Sequence, residues 1–281
     1  MKKVRLTIKE NSLIAANVYR LRLCGDISAI TVPGQFINIE IPGRFLRRPI
    51  SVCDVISYEE KGCGCLNDGW DEAGTSAAGY PQDAPDKRGE TVILYKVVGA
   101  GTAELAAMPE GTELDVLTGL GNGFDLGKTA PGQQALLLGG GIGSAPMLML
   151  AKRLKARGAK VHAVLGFNSA QDVILEDELK QAGAEVTVMT ADGSYGNRGF
   201  ATDAAIVKDG AYDYYYACGP GPMLKAVYKT CNDNGELSFE ERMGCGFGAC
   251  MGCSMQTASG PKRVCKDGPV FAKTELLWEQ S

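Results

Sequence analysis

Histidine is nearly missing from this chain. His162 is the only one in 281 residues, so a Ser/His/Asp or Cys/His catalytic arrangement has nothing to rest on. Also missing is any basic run or basic–aromatic stripe. With 29 Lys and Arg against 33 Asp and Glu, a formal −4, the electrostatic footprint of a nucleic-acid binder is absent, and a small-molecule or protein partner is expected instead. No unbroken apolar run spans a bilayer. The one uncharged stretch, residues 133–151, is interrupted by Gly139, Gly140, Gly141, Gly143 and Pro146 and reads as strand, turn and helix. The opening "MKKVRLTIKE" alternates polar and apolar residues where a signal peptide would begin an apolar run, so the chain is read as cytoplasmic, with no membrane partner.

What is present falls into three rhythms. Over residues 1–129 short alternating strands recur: "VRLTIKE" places Val4, Leu6 and Ile8 on one face, and "QFINIEI" separates Ile37, Ile39 and Ile41 from Phe36, Asn38 and Glu40. With further strands over 91–99 and 112–117, this predicts an antiparallel β-barrel or sandwich. Residues 59–90, rich in Gly, Asp and Pro, read as a surface insertion in which Cys63 and Cys65 are plain loop residues, two thiols being too few to close a four-ligand site. Over 130–241 strands near 135–138, 161–165, 186–189 and 212–217 alternate with helical stretches 144–157 and 174–182, which predicts a parallel α/β layer. The segment 242–281 is Gly-rich and weakly periodic, and apolar burial alone is not expected to fold it.

Ten cysteines would suit a secreted disulfide scaffold only in a far shorter chain. Four of them are spaced Cys245-x4-Cys250-x2-Cys253-x11-Cys265, the C-x4-C-x2-C…C form of plant-type [2Fe–2S] ligation. Structural zinc on four thiolates usually uses paired C-x2-C knuckles, and a Rieske centre needs two histidines, so the spacing favours a [2Fe–2S] cluster. Gly244, Gly246, Gly248 and Gly252 are expected to turn at positive φ and bring backbone N–H groups to the sulfurs. His162 reads as a strand residue.

Two glycine-rich turns follow predicted strands. "GGGIGS", with Gly139, Gly140, Gly141, Gly143 and Ser144, opens a helix where bare amides suit a pyrophosphate; it departs from G-x-G-x-x-G at Ser144. "CGPGP", with Cys218, Gly219 and Pro220, is a second strand-end turn expected to frame the same crevice. Cys218 is either a small buried thiol or a neighbour of the nicotinamide. The strand after the first turn ends in "GFNS" (166–169), with no acidic residue for a ribose and no cation for a 2′-phosphate; NAD is favoured over NADP.

In the barrel region, Arg48-Pro49-Ile50-Ser51 offers a guanidinium and a hydroxyl at a strand end, chemistry that suits a diphosphate. These four residues resemble the flavin signature of the ferredoxin–NADP reductase superfamily, and "LYKVVGAGT" (94–102) resembles its second FAD segment. Four motifs in this order span nearly the whole chain. With "MGCGFGACMGC" and "RVCKDGPVF" at the C-terminus, the chain is similar to the electron transfer subunits of NAD-dependent dihydroorotate dehydrogenase B. The resemblance implies FAD held by Arg48 to Ser51, Leu94, Tyr95, Lys96, Gly101 and Thr102, and one [2Fe–2S] cluster on Cys245, Cys250, Cys253 and Cys265. It also implies an FMN-containing dihydroorotate dehydrogenase catalytic partner, two copies of each chain forming a heterotetramer. Electrons from dihydroorotate would then pass through the cluster and FAD to NAD+, in pyrimidine biosynthesis, with no catalytic acid or base on this chain. Two other readings stay open: an NAD(P)H-linked reductase subunit of a hydrogenase, ferredoxin or bifurcating complex, and a zinc-stabilised nucleotide sensor. The 59–90 insertion departs from the more compact family pattern.

Overall fold

The computed structural model describes residues 1–58 and 87–278. Six strands, β1 (Lys2–Ala15), β2 (Val18–Asp26), β3 (Phe36–Ile39), β4 (Arg48–Ser57), β5 (Arg88–Lys96) and β6 (Glu113–Leu120), pair antiparallel and close into a barrel in the order β1-β2-β5-β4-β3-β6. Alternation decides what fills it, since every second side chain of a strand points the same way. Leu6, Ile8, Leu21, Leu23, Ile37, Ile39, Val52 and Ile93 form the buried interior. A short helix, α1 (Ala100–Ala106), links β5 to β6.

The expected insertion is shorter at its far end than the sequence suggested. Arg88, Gly89 and Glu90 belong to β5, with Gly89 opposite Ser57 and Glu90 opposite Ile56. Glu90 looked like loop because of its charge, but Arg22 of β2 donates to it across the sheet at 2.7 Å, which neutralises the charge at a buried position. Cys63 and Cys65 lie outside the described residues.

The second layer begins with β7 (Gln134–Gly140) and α2 (Ala145–Ala156), then β8 (Lys160–Phe167), α3 (Glu176–Gln181), β9 (Glu185–Thr190), β10 (Asn197–Arg198), α4 (Ala205–Lys208), β11 (Tyr214–Cys218), α5 (Gly221–Thr230) and β12 (Gly235–Ser238). A hairpin of β13 (Ser254–Thr257) and β14 (Gly260–Arg263) precedes β15 (Val270–Ala272). The sheet order is β10-β9-β8-β7-β11-β12-β15, parallel from β10 to β12 and antiparallel at β15. The strand order reverses between β7 and β11. Ligands of open α/β sheets bind beyond the strand ends at such a switch point.

The C-terminal segment does rely on apolar burial, against expectation. Cys253, Val264, Cys265 and Phe271 pack with Leu136, Leu138, Tyr215 and Leu237 of the sheet and with Phe36 of β3. The segment shows little periodicity because a neighbouring sheet supplies half of its core. Barrel and sheet also share apolar packing, since Val18, Cys53, Val92 and Leu94 lie in one buried cluster with Met147, Leu148 and Ala151 of α2.

Candidate functional site

At the start of β4, Arg48, Pro49, Ile50 and Ser51 are all half-buried and within reach of a ligand. The Arg48 guanidinium lies flat against Gly101 in α1, and a Cβ at position 101 would overlap it. Strand β4 and the 98–102 turn, far apart in sequence, therefore meet through these two residues. Thr102 is occupied locally: its hydroxyl accepts from the N–H groups of Val98 (3.0 Å) and Gly99 (3.3 Å) and donates to the Gly99 carbonyl, bracing the turn. Leu94 and Tyr95 are only 2% and 3% exposed, so just Lys96 of that trio presents its side chain outward. The Tyr95 hydroxyl donates to Asn11 at 2.9 Å, and Asn11 in turn donates to the Leu105 and Met108 carbonyls. Burial pushes the Tyr95 phenol above its usual range. Its part is to hold α1 against the barrel, and Asn11, a lone polar residue in an alternating strand, carried no sequence signal for this.

At the switch point the two expected turns come together. Register places Gly139 beside Cys218, and a Cβ on Gly143 would sit 2.5 Å from the Cys218 carbonyl oxygen. A Cβ on Gly140 would overlap the Met223 sulfur, and Gly219 packs back on Gly140. These glycines are present because two backbones approach at a distance that excludes side chains. The residues 141–144 form a single 3-10 turn leading into α2. Ser144, wholly buried, has a hydroxyl with no partner among the described residues, and it fills the space beside Gly139. Cys218 is a buried thiol pushed up to about 12 by burial and, secondarily, by the charge of Glu240. Glu240 follows β12 and was not anticipated; only tertiary structure brings it to Cys218.

The cysteine loop divides into two linked pairs. The N–H groups of Ala249 and Cys250 donate to the Cys245 sulfur at 3.2 and 3.4 Å, and the Cys245 N–H faces the Cys250 sulfur at 3.5 Å. Separately, the Cys265 N–H donates to the Cys253 sulfur at 3.4 Å. Partial burial opposes ionisation of Cys245, but the backbone donors of Phe247, Cys250 and Ala249 win and lower its thiol to about 6. Such donors stabilise a thiolate ligand. Cys265 is pushed up, first by burial and then by the adjacent Cys253. Among the described residues no three His, Cys, Asp or Glu side chains converge on one ion. Two separate thiol pairs with N–H donors fit a broad two-iron cluster better than a single zinc.

The glycine expectation needs correction. Gly246 (φ 78°) and Gly248 (φ 94°) are left-handed, but Gly244 and Gly252 are not, and Met251 takes φ 59° instead. Gly244 leaves room beside the Cys250 sulfur, 3.2 Å from where its Cβ would lie. His162 is a strand residue, as expected: it pairs with Thr187 (2.8 Å) and Glu185 on β9 and lies outside all three sites.

Residues 240–277 match the family described as the iron–sulfur cluster binding domain of dihydroorotate dehydrogenase B, and residues 137–229 match the oxidoreductase NAD-binding domain. The dihydroorotate dehydrogenase B (NAD(+)) electron transfer subunit of Bacillus velezensis is 40% identical, covering 98% of this chain and 99% of the relative. That of Fusobacterium nucleatum is 38% identical over the same shares. The chain belongs to this family. Among solved structures, an NADH-dependent reduced ferredoxin–NADP oxidoreductase, described in work on flavin-based electron bifurcation, matches with TM-score 0.76 and 27% identity, over 98% of this chain and 90% of that one. An Amycolatopsis cytochrome P450 reductase shares the fold, with TM-score 0.61 and 21% identity over 82% of this chain and 65% of its own. Among the described residues no helix is long and apolar enough to cross a membrane.

Proposed function

We propose that this chain conducts electrons between a dihydroorotate-oxidising catalytic subunit and NAD+, in the cytoplasm, as one half of a two-plus-two heterotetramer whose partner carries FMN. Bound FAD supplies the exchange between hydride and single-electron chemistry, and bound [2Fe–2S] the single-electron relay. The residues of the chain bind, orient and insulate. Arg48 and Ser51, with the 98–102 turn, hold the flavin at the barrel. The Gly139–Ser144 and Cys218–Pro220 turns hold the dinucleotide at the switch point. Cys245, Cys250, Cys253 and Cys265 hold the iron.

The observation that carries this reading is the placement of the two thiol pairs, backed by N–H donors, directly against the barrel strand next to Arg48–Ser51. Kinship over nearly the full length of the named relatives supports the choice of substrate. The likeness to the ferredoxin–NADP oxidoreductase supports a second reading, a reductase subunit of a bifurcating complex. Co-expression with dihydroorotate dehydrogenase catalytic subunits decides between them. A purified complex reducing NAD+ at the expense of dihydroorotate is expected, and co-purification with a ferredoxin-linked or second FAD subunit instead would favour the alternative.

A further inference from the structure

One buried side chain joins the flavin strand to the cluster loop. Asn38 on β3 is 1% exposed, and its Nδ2 donates to the Cys245 carbonyl at 3.2 Å. A carbonyl only accepts, so this contact fixes which arm of the amide faces the loop. Gly246, at φ 78°, lies so close above Asn38 that an added Cβ would overlap Nδ2. Backbone geometry and packing both seat the first cluster ligand on this one residue.

Asn38 also shares a face with the flavin signature. Ile37 and Ile39 point into the barrel, so Phe36 and Asn38 point out, and Phe36 packs against the C-terminal segment. Across the strands Asn38 stands opposite Pro49 and Phe36 opposite Ser51. Asn38 and Ser51 are therefore diagonal neighbours on the outer face, a relationship that spans about 7–8 Å in antiparallel sheets. The main chain at Asn38 is itself pinned, because Arg47 donates to both the Asn38 and the Asp115 carbonyls. The other arm, Oδ1, is buried without a partner among the described residues. A buried acceptor left unfilled is costly, and it persists where a position serves more than packing.

We infer that Asn38 is a positioning residue that sets the spacing and orientation between flavin and cluster, and so governs the one-electron step between them. Asn38 touches neither reacting centre through its own chemistry; it acts by holding the Cys245 backbone to the strand beside Ser51. The inference rests on the electron-transfer reading above.

The test uses the full complex with its catalytic partner, comparing wild type with Asn38→Asp and Asn38→Ala. Asn38→Asp preserves volume and removes only the donor; FAD and iron per chain report folding and loading. NADH is mixed anaerobically with each, following flavin bleaching and the electron paramagnetic resonance signal of the reduced cluster separately. Flavin bleaching should keep its wild-type rate while cluster reduction slows by about tenfold or more and the signal changes shape, since small misplacements at a reacting centre are amplified in rate. Equal effects of Asp and Ala assign the result to the hydrogen bond. Wild-type cluster kinetics and signal in both variants would overturn the inference, as would loss of FAD from both, which marks a folding residue only. Failure of NADH to reduce the wild-type cluster would instead refute the electron-transfer reading and this inference with it.

Discussion

Asp54 of the barrel and Lys152 of α2 form an ion pair, with the Asp54 carboxylate only 9% exposed and the lysine half-exposed. The ladder between β4 and β5 shifts register between Val52 and Asp54, and such irregularities re-aim side chains. The pair lies a few residues beyond Ser51 on one side and within α2, which follows the Gly139–Ser144 turn, on the other. It ties the flavin strand to the nucleotide turn.

Removing Lys152 leaves a nearly buried carboxylate without its cation. Lys152→Ala should lower stability by about 1–3 kcal/mol, discounted from a fully buried pair because the lysine is half in solvent. Asp54→Asn combined with Lys152→Met should recover most of the loss, an interaction that denaturant midpoints in a double-mutant cycle measure directly. The single variant should also slow flavin reduction by NADH. Wild-type stability of Lys152→Ala would show that the pair is ornamental.

A side chain at Gly143 would collide with the Cys218 carbonyl 2.5 Å away. Gly143→Ala should therefore part the two turns and raise the KM for NADH by about tenfold or more, equivalent to about 1.4 kcal/mol of lost binding. FAD content should stay at one per chain. An unchanged KM would remove the Gly143–Cys218 approach from the dinucleotide site.

Cys250→Ala should lose iron and the cluster absorbance while keeping FAD. Dihydroorotate-linked NAD+ reduction should fall at least about a hundredfold, while NADH still bleaches the flavin. Persistence of dihydroorotate-linked turnover would contradict a relay through the cluster.

Glu236 on β12 is buried, and its carboxyl is raised from 4.5 to about 7 by desolvation, only partly offset by the Asp125 N–H that donates to it at 3.0 Å. The folded state then holds a proton that the unfolded chain has released, so this group makes stability fall as pH rises from about 4.5 through about 7. Glu236→Gln keeps an acceptor for Asp125 and should flatten that slope, gaining about 1–3 kcal/mol above pH 8. Denaturant midpoints at pH 5.5 and 8 check the sign, and an equal gain at both would refute it.

The barrel does not need residues 59–86 to close. Ser57 stands opposite Gly89, and the Tyr58 N–H donates to the Arg88 carbonyl at 3.1 Å, so the hairpin ladder is complete at the end of β4 far from Arg48. Replacing 59–86 with a short Asn-Gly turn, a connection that favours tight hairpins, should preserve FAD content and NADH oxidation. Loss of FAD would show that the insertion serves the flavin.

The sequence by itself determined what is written in local periodicity and spacing. Ile37, Ile39 and Ile41 announced a half-buried strand, the change of rhythm near residue 130 announced the α/β layer, and the four cysteines announced iron, because strand pleat and metal geometry act over a few residues. Tertiary structure alone decided what depends on contacts between distant segments. It joined β15 to the sheet, gave the C-terminal segment half its core, buried Leu94 and Tyr95 away from any ligand, and put Glu240 beside Cys218. Asn38 shows the limit most plainly. Its place in "QFINIEI" revealed only that it points outward; that it points at Cys245, 207 positions later, follows from how barrel and sheet pack together.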